Sequence, residues 1–485
     1  MYKSTQFAFI IFLGMWSGQS LAQTEKPPAL RLSLADAVGI ALKENPQVQN
    51  ANLDVADRQQ DIYLRRSALL PQATLQVSDR AERINLGSTF GADLPIFPHH
   101  VGPFQVFQAG TEFSASVFDI TLWRKLQASR ASLAGARTDE RSLRDQTTLL
   151  VVSQDLAALR AGEQLKAAQS RVDLAQALFD QAVQLEKNGV GTNLDTVRAQ
   201  VELQNEKQSL LVDQTEREKA LYGLGRLLDL APQQQIELTD QALFSQTREY
   251  QGDASVAAAL AHRPEIKSLD AQLAAAGYER RAAREQRLPA LSVGGDWAYQ
   301  GSSLSASIPT YAIGATVSIP LTTGGRIHAE EAKAAIASRR IENQRRSEQD
   351  AIAEEVKSAA ADLESARNQV DVARSGLTLS QKALGQAREK FAAGLANNIE
   401  VVTAQDALAR ANDNLIEAFY RYNLAHAQLA HATGQMEDLY EKERRPLGRH
   451  VPGSSLAKPQ FRAKARRYTS RKDAGVTRST NATTC

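Results

Sequence analysis

Cysteine is almost missing from this 485-residue chain, and the single one, Cys485, is its last residue. That excludes a disulfide within the chain, a thiol redox pair and any zinc site built on several cysteines. Glycine (28) and proline (15) are both scarce, which favours long helices over loop-rich folds. No interior stretch approaches the ~20 apolar residues of a transmembrane helix, so a helical membrane bundle is excluded. Yet 43% apolar and 23% charged residues are too ordered a composition for disorder throughout. Length alone suggests about three domains.

The ends differ from the middle. Lys3, the apolar run Phe7 to Trp16 and then Ser20-Leu21-Ala22 describe a secretory signal peptide over residues 1–22. Cleavage leaves Gln23 first, and with no cysteine there the exported chain is expected to lack a lipid anchor. Residues 441–485 hold twelve Lys/Arg against three Asp/Glu, a net charge of +9, with almost no apolar periodicity. They read as a disordered basic tail, a solvated extension, with anionic lipid or lipopolysaccharide as the alternative partner. Residues 23–440 then carry −8, so the whole-chain charge of +2 is no argument for nucleic-acid binding.

The middle is one unit written twice. Ala41-Leu42-Lys43-Glu44-Asn45-Pro46-Gln47-Val48 resembles Ala259-Leu260-Ala261-His262-Arg263-Pro264-Glu265-Ile266, and Leu70-Pro71 recurs as Leu288-Pro289, both 218 residues on. Gly189 and Asp195 recur as Gly394 and Glu400, and Ala199-Gln200 as Ala404-Gln405, all 205 residues on. Two registers indicate a duplication with a longer loop in the first copy, around Gly87–Pro103. The repeats span about 32–230 and 253–434.

Each copy begins with two helices split at the proline and ending near Leu70 or Leu288. The apolar period then changes from 3.6 to 2. Leu75 and Val77 alternate with polar residues, as do Phe113, Ala115 and Val117. Leu291, Val293, Trp297 and Tyr299 do the same, followed by Tyr311 through Leu321. Strands of about nine to eleven residues with one apolar face match membrane β-barrel strands, and Trp297, Tyr299 and Tyr311 suit an interfacial girdle. A half-buried sheet in a soluble protein is the alternative, but the intervening Gly301–Ser307 is polar and rich in Gly and Ser. Helices without proline follow, from about Leu122 to Lys187 and from Arg326 to Ala393. Leu126, Leu133, Leu143, Leu150 and Ala157 form one heptad line, and Leu149, Val152, Leu156 and Leu159 crowd a neighbouring one. Two seams mean neighbours on both sides, as in a ring of helices. Four strands cannot close a barrel, and open edges are not tolerated in lipid, so several chains must pool their strands.

This order resembles the outer-membrane efflux protein (TolC) family. The resemblance is carried by Leu34-Ala35-Asp36-Ala37 through Asn45-Pro46, by Ile319-Pro320-Leu321 with Gly324-Gly325-Arg326, and by the tip segments Gly189–Asp195 and Gly394–Glu400. It covers about Leu32 to Gly434. It implies a mainly α protein with a membrane β-barrel portion: a homotrimer whose twelve-stranded barrel in the outer membrane continues as a twelve-helix barrel in the periplasm. It also implies a periplasmic adaptor and an inner-membrane pump as partners, the channel itself being passive.

At the tip, Thr192-Asn193-Leu194-Asp195 and Asn397-Asn398-Ile399-Glu400 each place an acid three residues after a capping side chain, the pattern of a capping box. The resemblance adds a second role: Glu400 matches an acid that, repeated around the trimer, forms a negative ring favouring cations. The chain departs from the drug-efflux pattern in having Thr403 at a second acidic position, and Phe391 and Ala396 where a tyrosine and an arginine help latch the tip. Asp195 remains, with no assigned partner.

Enzymatic chemistry finds no purchase. His99-His100 fall in the loop between strands and read as solvent-exposed, and His426 and His431 are too far apart for an i, i+4 pair. Gly324-Gly325 lacks the lysine of a phosphate-binding loop. No nucleophile–base pair, cofactor motif or nucleic-acid partner is expected. The rival reading is a soluble periplasmic coiled-coil scaffold or adaptor, which would not need four alternating strands placed symmetrically between repeated helices. A porin-like pore without pump partners would not need so much helix.

Overall fold

The change of apolar period divides the chain into helices and a sheet, in an order that occurs twice. The computed structural model describes residues 29–85, 98, 100–240, 252–393, 395 and 398–436. The expected signal peptide, most of the first-repeat loop, Gly394, Ala396, Asn397 and the basic tail lie outside the described residues. The first half runs β1 (Leu30–Leu32), α1 (Leu34–Glu44), α2 (Pro46–Ser67), β2 (Gln72–Asn85), β3 (His100–Phe118), α3 (Ile120–Lys187), α4 (Asn193–Leu227) and β4 (Ile236–Leu238). The second runs α5 (Asp253–His262), α6 (Pro264–Glu285), β5 (Ala290–Gly301), β6 (Ile308–Ser318), α7 (Arg326–Ala392) and α8 (Asn398–Ala432).

Prolines set the short-helix boundaries. Pro46 and Pro264 open α2 and α6 at the first helical position, where a missing N–H costs nothing. The residue before each proline also clamps a long return helix. Asn45 Nδ2 donates to the Leu227 carbonyl at 2.8 Å, at the end of α4. Arg263 Nη1 donates to the His431 and Ala432 carbonyls at 3.3 and 3.4 Å, at the end of α8. Carbonyls that a helix end leaves unpaired are thereby satisfied. As a result α2 continues the line of α4, and α6 the line of α8.

The 68-residue α3 is about 100 Å long at ~1.5 Å per residue, and it has neighbours on both sides. Near the sheet it packs between α2 and α6, and farther down between α4 and α8. Arg124 meets Glu285 at 2.8 Å and Ser142 meets Glu265 at 2.7 Å, so α6 runs antiparallel to α3; Arg160–Glu417 with Arg171–Asp413 shows the same for α8, and Gln154–Ala220 with Arg171–Glu206 for α4. Helix α7 packs on α6 and α8 and takes the edge. The expected heptad line starts buried at Leu126 and Leu133 but emerges at Leu150, which is 50% exposed. A nearly straight helix turns once per ~3.6 residues, so a strict seven-residue line drifts ~20° per heptad. The buried face instead passes through Thr147, Val151, Val152 and Leu156. There α1, α3, α4, α8 and the parallel pair β1–β4 enclose the main apolar cluster, which the sequence reading did not foresee.

Strand order in the sheet is β2-β3-β5-β6, all antiparallel. The first-repeat strands are longer than expected, at 14 and 19 residues, because β2 and β3 pair on as far as Asn85↔His100. His100 is therefore a strand residue rather than a loop residue, exposed, with Nε2 2.7 Å from Arg83. Strand β6 stops at Ser318, short of the expected Leu321, because Pro320 has no N–H to donate to a ladder.

Candidate functional site: the lipid-facing sheet and the helical tip

Register decides which residues share a face. Leu75, Thr111, Trp297 and Tyr311 lie in one row across the four strands; Val77, Ala109, Tyr299 and Pro309 form the next, and Ala73, Phe113, Gly295 and Ile313 another. The opposite face carries Gln76, Gly110, Ala298 and Thr310, then Thr74, Glu112, Asp296 and Ala312. One face is apolar and the other mostly polar, as lipid outside and water inside require. From Leu291 to Tyr299 the apolar face runs about 27 Å along the strand, and a tilt of ~40° projects this to roughly 20 Å, close to a membrane barrel's apolar band. Trp297 and Tyr299 touch edge-to-face at 5.5 Å between ring centres. With Tyr311 they sit in the part of the hairpin nearest its turn, and Tyr311 is 75% exposed.

Among the described residues, strands β2 and β6 each pair on one side only and are the open edges of the sheet. The outer helices are open as well: Leu64, Leu211 and Tyr222 on the α2–α4 line and Ile336, Val372 and Leu379 on α7 are exposed. No helix among the described residues is long and apolar enough to cross a membrane.

At the far end of the helices, Gly189 takes φ +75°, a left-handed conformation that lets the chain turn out of α3. Thr192 Oγ1 and Asp195 Oδ2 are 2.6 Å apart, and each also accepts from the other's backbone N–H, completing a capping box. Arg198 stands 4.0 Å from Asp195. Thr196 and Asn193 donate to Glu186 and hold its carboxyl below the usual range. Phe391 packs against a cluster of Leu384, Ala387, Val401 and Leu178, so the missing hydroxyl is matched by an apolar setting. Glu400 is exposed in the first turn of α8 beside the fully buried Val401, and Thr403 donates back to the Ile399 carbonyl at 2.8 Å.

Two polar hubs between tip and sheet went unread in the sequence. Arg171 on α3 reaches Glu206 and Asp213 on α4 and Asp413 on α8, at 3.0, 3.7 and 3.2 Å. Burial and the nearby Asp406 and Glu206 push Glu202 beside it above the usual carboxylate range. The buried Arg263 bonds Glu265 and Glu355, both at 2.9 Å, and His431 Nδ1 lies 3.1 Å from Glu355. Burial pushes Glu265 up, but Ser142 and Arg263 outweigh it and hold the carboxyl low. His431 is therefore part of a network and not an isolated side chain. The one available signal was position: Arg263 occupies the place of Asn45 in the repeat. Among the described residues no group of three or more His, Cys, Asp or Glu side chains could hold a metal ion.

A lipid-facing sheet with open edges, set on long antiparallel helices in a duplicated order, defines the protomer of an outer-membrane channel with a helical periplasmic extension. The chain belongs to the outer membrane efflux protein family, whose model matches residues 37–229 and 256–435. It is 26% identical over 443 residues to the alkaline protease secretion protein AprF of Pseudomonas aeruginosa, covering 84% of this chain and 86% of that one. It is 24% identical over 430 residues to the outer membrane efflux protein BepC of Brucella suis, with the same coverage. Its fold matches the crystal structure of the Campylobacter jejuni CmeC outer membrane channel with a TM-score of 0.72, at 17% identity over 85% of this chain and 88% of that one. The chain is thus an exit duct of the outer membrane, as the sequence order implied.

Proposed function

We propose that three copies of this chain close a twelve-stranded barrel and a twelve-helix tunnel. In this reading they form the passive outer segment of a tripartite efflux or secretion assembly, docked to a periplasmic adaptor and an inner-membrane pump. The observation that carries the reading is the pair of open edges: among the described residues, β2 and β6 present unpaired ladders at the two sides of a sheet whose apolar face belongs in lipid. Such edges close only against another copy. Geometry asks for at least two copies, since about eight strands are the practical minimum; three follows from the family resemblance.

At the tip, Asp195, Phe391 and Glu400 act as the periplasmic gate, with Gly189 and Gly394 as its turns. Glu400, repeated around the assembly, makes a ring of negative potential that favours cations. The test is the cation-to-anion permeability ratio of single channels in planar bilayers. Glu400→Ala is expected to lower it severalfold at low salt, and the difference shrinks at high salt. An unchanged ratio at low salt rejects the ring.

A further inference from the structure

We propose that the chain carries a cationic collar just below its membrane sheet that binds anionic phospholipid headgroups of the periplasmic leaflet. Four segments meet the sheet at the strand–helix junctions: 58–70, 120–131, 276–289 and 324–337. Together they hold twelve lysines and arginines against five acids, a net of +7, although residues 23–440 as a whole carry −8. The rest of residues 23–440 therefore nets −15.

The segments stand side by side. Arg124 bonds Glu285, Gln286 bonds Glu330 and Arg326, and Arg287 pairs with Glu331, tying α3, α6 and α7 together here, while α2 packs on α3. Four of the five acids, Asp61, Glu285, Glu330 and Glu331, are each already paired with an arginine. Arg65, Arg66, Arg130, Arg280, Arg284 and Lys333 are exposed and have no carboxylate partner among the described residues. The field left over is positive.

Apolar side chains fix the height relative to lipid. Leu70, Phe118, Leu288 and Leu321 are exposed where the strands give way to the helices, and Tyr63 and Trp123 are about half exposed one step below. Helical spacing puts cations on the same stripes: Arg66 between Tyr63 and Leu70, Arg130 seven residues after Trp123, and Arg281 and Arg284 leading to Leu288. An apolar rim, interfacial aromatics and then arginines is the sequence of environments met on leaving hydrocarbon for headgroups. Long arginine stems can lie along the apolar rim while their guanidinium groups reach phosphate, which they bind through paired N–H donors. A basic cluster so close to the membrane surface favours anionic over zwitterionic lipid.

The test is native mass spectrometry of the full-length protein released from nanodiscs of equal phosphatidylethanolamine and phosphatidylglycerol. The wild type is expected to retain phosphatidylglycerol about tenfold over phosphatidylethanolamine, roughly 1.4 kcal/mol. The variant carrying Arg65→Gln, Arg66→Gln, Arg280→Gln and Arg284→Gln is expected to bring the ratio close to one, and lysine at the same four positions to keep it. Equal retention in the wild type overturns the collar. A preference that survives the glutamine variant assigns it elsewhere, the basic tail included, and overturns it too. Loss of the preference in 20 mM inorganic phosphate would mark a site for soluble anions instead. Subunit number is read from the same spectra, so failure of the trimer is seen separately from failure of the collar.

Discussion

Asp155 offers the sharpest test of how the helices are packed. It lies on α3 between Val152 and Leu156, both in the main apolar cluster, and is only 1% exposed. Neither carboxyl oxygen has a hydrogen-bond partner among the described residues. Burial, with a smaller contribution from Asp240, raises its pKa from an ordinary 3.8 to about 7. Because it is enclosed within one chain, assembly cannot bring it a new partner. A raised folded-state value means full stability below about pH 4, progressive loss as pH climbs toward 7, and no further change above. The shift amounts to about 4 kcal/mol per chain once the group is ionised. Asp155→Leu removes the buried charge and is expected to stabilise this region at pH 7.5 by about 1–4 kcal/mol, with the gain shrinking toward pH 4. The assay is hydrogen exchange of α1 and the middle of α3 at pH 5 and pH 7.5, corrected for intrinsic rates. Wild-type opening is expected to rise roughly fiftyfold more between these values than in the variant. Equal pH dependence in both, or a variant less protected at pH 7.5, would refute the assignment of a buried, costly carboxylate.

Arg263→Ala strips the donor from two ion pairs and from the end of α8, and is expected to cost about 3–5 kcal/mol, read as a lower thermal midpoint. An unchanged midpoint would show that the clamp contributes nothing. Gly110→Val places a side chain where Ala298 and the Trp297 carbonyl already stand, so it is expected to break the β3–β5 pairing and abolish stable insertion, measured as protein recovered in outer membranes. Normal yield would show that this register is wrong.

Much of the fold was legible because a few strong local rules agree. Pro46 and Pro264 can only sit at a helix start here, alternation over Leu291–Tyr299 can only be a strand with one apolar face, and fixed spacings exposed the repeat. The misses have physical causes. The three-residue strands β1 and β4 are too short to show a period, and they exist only because they pair across 206 residues. The hairpin of β2 and β3 outruns its alternating segment because backbone pairing continues where side-chain pattern stops. Leu150 falls on the heptad line yet leaves the seam, because a nearly straight helix does not keep a seven-residue period. Asp155 sits inside Leu149–Leu159, an apolar stretch whose one acid carried a signal that helical periodicity alone passes over. At the tip, Thr192 with Asp195 was readable as a cap, while the packing of Phe391 depends on Leu178, more than two hundred residues earlier.

The central claim is that the chain completes its sheet with other copies of itself in the outer membrane. Fractionation, mild detergent extraction and mass determination of the intact particle test it most directly. The account predicts outer-membrane protein with the mass of three mature chains. A monomer or dimer free in the periplasm would contradict it and favour a coiled-coil scaffold.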